Sequence, residues 1–117
     1  MKLIVKKQNQ NNFVIAEQVE VASTFRQRLI GLLGKNDFSK GTALWIHRCN
    51  SIHTFFMRFP IDVVFVDKQL KVCKVVQNIK PFRLVNAYFC GHSVFEFSSP
   101  HPVLKELQPG DTLYVGN

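Results

Sequence analysis

The stretch FVIAEQVEVA, residues 13–22, places Phe13, Ile15, Val19 and Val21 on one side of an extended chain and Val14, Ala16, Gln18 and Glu20 on the other. That period of two marks a half-buried strand, because successive side chains of an extended backbone point to opposite faces. The same reading extends outward. TALWIH (42–47), DVVFVD (62–67), LKVCKVVQ (70–77), NAYFC (86–90), SVFEF (93–97) and DTLYV (111–115) are short and rich in β-branched and aromatic residues. They are separated by turn formers such as Asp67-Lys68, Gly91-His92 and Pro109-Gly110. QNQNN, residues 8–12, is a polar loop joining the first two strands. Several short strands at this spacing predict a mainly β chain, a small β-sandwich or barrel.

One helix interrupts the pattern. In STFRQRLIGLLGK, residues 23–35, Thr24 and Gln27 form a capping-box pair, and Phe25, Leu29, Leu32 and Leu33 recur on one face. These signals predict a main helix over about residues 24–33, closed by Gly34. Gly31 costs roughly 1 kcal/mol relative to alanine inside a helix, which implies a close neighbour at that point. A second, short helical turn is expected near residues 101–107, started by prolines and ended by Pro109-Gly110.

A chain of 117 residues, 46% hydrophobic and 20% charged, fits a single domain spanning 1–117. At this size roughly two-thirds of the unfolded surface can be buried. The aromatic content is mainly phenylalanine, 11 residues against 2 Tyr and 1 Trp, which supplies bulk without polar groups that need partners.

The N-terminal apolar run LIV stops at Lys6, too short for a signal-peptide core, and no segment is apolar enough to span a membrane. The expected location is cytoplasmic. Cys49, Cys73 and Cys90 are odd in number and widely spaced, which suits reduced thiols. There is no CxxC pair, and His47, His53, His92 and His101 show no paired ligand spacing, so neither a metal site nor a cofactor is implied. The net charge of +7 is spread along the chain with no basic run longer than two, a solvated basic surface that carries no nucleic-acid motif and argues against a nucleic-acid partner. Lys68, Lys71, Lys74, Lys80 and Arg83 could still gather on one side and attract an anion. Binding of single-stranded nucleic acid would further require exposed Phe or Tyr beside them.

The order of motifs is also informative. The pattern A..T..R..GLL (residues 22–33), then IHTFFMRFPIDVVFVD (52–67), then VFEFSSPHPVLKELQPGDTLYV (94–115), resembles the family catalogued as domain of unknown function 192. The resemblance covers nearly the whole chain from about Val19 onward. It implies a small, mostly β bacterial or archaeal protein with one main helix packed on its sheets, often exported, from a family without an assigned activity. Its recurrent positions fall here on Arg28, Gly31, His53, Thr54, Met57, Pro60, Ile61, Asp62 and Glu96, and on Gly110-Asp111. Two departures stand out: GLLGK where many members have a methionine and a second arginine, and EFSSP where the family tends to ELPAG.

The segment CNSIHTFFMRFPIDVVFVD, residues 49–67, sets four chemically active residue types inside an apolar run. In an extended strand Cys49 and His53 would stand roughly 13 Å apart, beyond hydrogen-bond reach, so a nucleophile–base pair needs a turn at Asn50-Ser51. Arg58 and Asp62 flank Pro60, which belongs at a strand start or edge. Charges there are costly to bury unless partnered. One reading has Asp62 or Glu96 paired with Arg58 or Arg28 to tie helix to sheet. The other has Arg28, His53, Arg58, Asp62 and Glu96 converge as the polar floor of a binding site. The expected function is therefore a binding module for a small anionic ligand or a protein partner. The alternative is a hydrolase-like enzyme using Asp62 or Glu96 as base, His53 as acid or base and Arg58 as anion holder.

Overall fold

The computed structural model describes residues 1–7, 11–22, 41–55, 57 and 59–117. Ten strands make up most of these residues: β1 (Lys2–Lys6), β2 (Phe13–Ala16), β3 (Gln18–Ala22), β4 (Thr42–Ile46), β5 (Ser51–His53), β6 (Ile61–Val66), β7 (Val72–Ile79), β8 (Leu84–Asn86), β9 (Ser93–Ser98) and β10 (Thr112–Gly116). The protein is mainly β, as its alternating segments predict. The expected helix at residues 24–33 lies outside the described residues. The second helical turn appears as a single 3-10 turn at Leu104–Glu106.

The strands form three sheets. A five-stranded sheet runs β3-β4-β9-β6-β7, a three-stranded sheet runs β10-β1-β2, and β5 pairs with β8. All pairings are antiparallel except β3 with β4. The barrel alternative is not realised among the described residues: the five-stranded sheet ends at β3 and β7. The start of β7 touches the β10 sheet through one isolated bridge, Lys71 to Thr112, with flanking main-chain bonds from Val72 N–H to Asp111 O and from Leu113 N–H to Leu70 O. A few such bonds leave the two sheets as separate layers.

The expected single strand over residues 13–22 is likewise two strands. Position 17 falls on the inward side of the alternation and holds an exposed glutamate, and there the chain leaves one sheet and enters the other.

The five-stranded sheet is buried on both faces, which explains why all six residues of β6 are buried. On one face Val64, Val66, Phe95, Phe97 and Ala43 pack against Leu3, Val5, Ile15 and Leu113 of the three-stranded sheet and against Leu104 and Leu107. On the other, Ile46, Ile61, Val63, Phe65 and Val94 pack under Ile52, Met57, Phe59 and Ala87. β5 and β8 thus roof the second face.

The structure also corrects the expectation of reduced thiols. Cys73 on β7 and Cys90 form a disulfide, with Cα atoms 6.1 Å apart. Only the folded register brings these two residues together, because 17 positions separate them in sequence. Cys49 lies outside that disulfide. No helix among the described residues is long and apolar enough to cross a membrane.

Candidate functional site

Strand register decides which of the expected site residues meet. Asp62 pairs with Phe97 and Val63 pairs with Glu96, so the two carboxylates project to opposite faces of the five-stranded sheet. Asp62 shares its face with Phe97 and the three-stranded sheet, and Glu96 shares its face with Val63 and Leu44. Both are fully buried. A site that uses both carboxylates as an acid–base pair is not assembled by this sheet. Arg28 and Arg58 lie outside the described residues.

Asp62 is occupied by the main chain. Its Oδ1 accepts from Asn78 N–H at 2.7 Å and its Oδ2 from His101 N–H at 2.8 Å. The first bond closes the irregularity in β7 opposite Asp62, where Asn78 adopts φ +56. The second anchors the loop after β9, which includes the cis Ser99-Pro100 bond. His101 completes the anchor: its Nε2 meets Ile15 O at 2.7 Å, and its Nδ1 accepts from Val103 N–H at 3.2 Å. Those two contacts assign the proton to Nε2. Its ring also stands edge-on to Phe97, with centroids 4.9 Å apart.

The anchored loop forms one wall of a cleft of about 460 Å³. Val14, Ile15 and Ala16 of β2 form another wall, Phe97 the floor, and Thr42, Ser98 and Ser99 complete the lining. Glu17 sits at its rim, 3.7 Å from Lys2 Nζ. Sequence reasoning singled out Asp62 but not the cleft, because His101 and Ile15 stand 86 residues apart and meet only in the folded register.

His53 lies on the other side of the sheet. It pairs with Leu84 across β5–β8, its ring stacks on Phe55 at 5.1 Å, and it lines a smaller basin of about 230 Å³ with Arg48, Cys49, Ser51, Ile46 and Leu84. A turn at residues 47–50, with Arg48 at φ 52, brings Cys49 to the same basin. The thiol donates to Ser51 O at 2.9 Å, which directs it to its own turn. Thr54, next in the chain, is buried; its hydroxyl donates to Lys80 O at 2.6 Å and accepts from Arg83 N–H at 3.0 Å. No group of three or more His, Cys, Asp or Glu with metal-holding geometry occurs among the described residues.

With this geometry in view, comparison with known proteins is direct. The family model for domain of unknown function 192, described as "Uncharacterized ACR", matches residues 4–115. The chain belongs to the DUF192 family. Among solved structures, this DUF192 domain resembles a protein of unknown function from Novosphingobium aromaticivorans, with a TM-score of 0.78 and 18% identity over 97% of this chain and 84% of that one. It also resembles a candidate transcription regulator from Sinorhizobium meliloti, with a TM-score of 0.79 and 16% identity over 97% and 91% of the two chains. At these identities the likeness establishes the fold the DUF192 chain shares with them. No curated protein matches the chain.

Proposed function

We propose that the domain is a binding module, and that the cleft between β2 and the loop after β9 receives a small ligand with an apolar body and one or two hydrogen-bonding groups. The observation that carries this reading is the cleft's construction. Its volume of about 460 Å³ falls within the usual range for small-molecule sites, and its lining is mainly apolar with a few polar residues. Its mobile-looking wall is in fact held by a buried carboxylate and a histidine whose two ring nitrogens are both engaged. Such anchoring lowers the ordering cost that a ligand would otherwise meet.

The test uses anilinonaphthalene sulfonate, an apolar anion, titrated into the folded protein. Saturable binding is expected at one site, with amide shifts at Ile15, Ala16, Thr42 and Ser98. Val14→Trp, a substitution at an exposed position on the cleft wall, should fill the cleft and abolish those shifts. Shifts located elsewhere, or unaltered in Val14→Trp, overturn the proposal.

A second reading keeps the small anionic ligand but moves it to the basin beneath β5–β8. Arg48 and His53 line that basin, and residues 41–61 contain no acidic side chain to repel an anion. Of the expected cluster Arg28, His53, Arg58, Asp62 and Glu96, it is His53 that supports this reading; Asp62 supports the cleft through the loop that it anchors. In the hydrolase-like alternative, Asp62 as base would stand on the face of the sheet away from β5 and His53, whereas Glu96 faces the side that β5 and β8 cover.

A further inference from the structure

We propose that the β5–β8 face is a docking surface for anionic phospholipid bilayers. The inference is independent of the cleft, which lies on the other side of the five-stranded sheet.

Exposed apolar groups concentrate on this face. Phe55, Phe82, Leu84, Tyr88 and Phe89 are five of the nine large apolar side chains exposed among the described residues. Phe82 is 69% exposed, Leu84 64%, Tyr88 58%, and Phe89 entirely. They are neighbours through β8. Phe82 N–H donates to Thr54 O, next to Phe55; Leu84 pairs with His53; Tyr88 and Phe89 lie in the turn closed by Cys90 N–H and Gly91 N–H on Ala87 O. A group of this size on a small protein marks a contact surface.

The frame under these side chains is rigid. Phe82 is held at φ +67, a region costly for a bulky residue, by the Thr54 carbonyl. The Cys73–Cys90 disulfide fastens the Tyr88-Phe89 turn to β7. At Gly91 a Cβ would meet Ala87 O at 2.9 Å, so the turn is packed against its own base. Side chains that a flexible turn could fold inward are instead kept in solvent.

Charge selects the partner. Residues 41–61 and 68–95 contain no Asp or Glu, and they supply Arg48, Lys74, Lys80 and Arg83 around β8. Lys74 Nζ reaches Asn86 O at 2.7 Å and so lies over the strand itself. Aromatic and leucine side chains that enter the headgroup region, beside lysines and arginines that meet lipid phosphates, are the composition of an interfacial anchor. The side chains protrude, and the basin beside them lined by Arg48, His53 and Leu84, about 230 Å³, is too small to seat a peptide segment. The disulfide suits an oxidising compartment.

Co-sedimentation of the full chain with vesicles tests the proposal. Binding is expected to vesicles of phosphatidylcholine containing phosphatidylglycerol, with little to phosphatidylcholine alone, and it should fall several-fold on raising salt to about 0.5 M. Phe82→Ser with Phe89→Ser, both at exposed positions, should keep the melting temperature and lower partitioning by about tenfold or more. The proposal is overturned by equal binding to both vesicle types or by none. It is also overturned if the chain ignores vesicles yet retains a single-stranded oligonucleotide or an acidic peptide in a manner that the two Phe substitutions abolish.

Discussion

Replacing Asp62 by asparagine isolates what the buried carboxylate does. The substitution is nearly isosteric, so no cavity forms. It replaces one of two acceptor oxygens with an NH2 group that faces an N–H donor, either that of Asn78 or that of His101. A hydrogen bond to a charged acceptor contributes about 1.5–3 kcal/mol, and an amide left without its acceptor in a buried place costs a similar amount. Relief from no longer burying a charge offsets part of this. A net loss of about 2–3 kcal/mol is expected, which for a domain of this size is a fall of roughly 8–12 °C in Tm. Calorimetry measures that fall. Amide exchange measures its origin: Asn78 and His101 should exchange faster than the loss of global stability accounts for, whereas Val64 two residues along β6 should not. A variant within about 0.5 kcal/mol of the parent, with both amides still protected, refutes the assignment of Asp62 as the anchor of the loop after β9.

Two shorter predictions concern the other side of the sheet. Denatured without reductant, the oxidised protein should titrate one thiol, that of Cys49; three thiols refute the Cys73–Cys90 pairing, and Cys73→Ser should cost about 3 kcal/mol for the loop that the bridge closes. If the basin receives an anion, inorganic phosphate should shift the His53 ring signals, and Arg48→Ala should weaken that response by about tenfold; an unaltered titration removes the anionic reading.

Much of this architecture is legible in the chain, and the parts that are not have definite physical causes. Strands were readable where burial is one-sided or complete, as in β6, because extended backbone with branched and aromatic side chains satisfies little else. The break between β2 and β3 is visible at Glu17, the one inward position of residues 13–22 that carries a charge. The disulfide and the His101 anchor are not visible, since each depends on register between strands far apart in sequence. Nor could the sequence say that Asp62 and Glu96 diverge: each sits in its own apolar strand, and only the pairing of Val63 with Glu96 reveals that one register step turns the carboxylates apart.

That divergence has a structural consequence for function. The five-stranded sheet is a partition. The cleft stands on the face shared by Asp62, Phe97 and β2, and the basin and the aromatic ridge stand on the face shared by Ile46, Ile52 and Val94. A sheet buried on both sides with close-packed side chains separates the two faces by a dense layer. Substitutions at Asp62 or His101 should therefore act on the cleft, and substitutions at Phe82, Phe89 or Arg48 on the β5–β8 face, with additive effects on stability when combined. Because the buried strands β6 and β9 lie between the two faces, the fold can present one surface to a small ligand and another to a large partner.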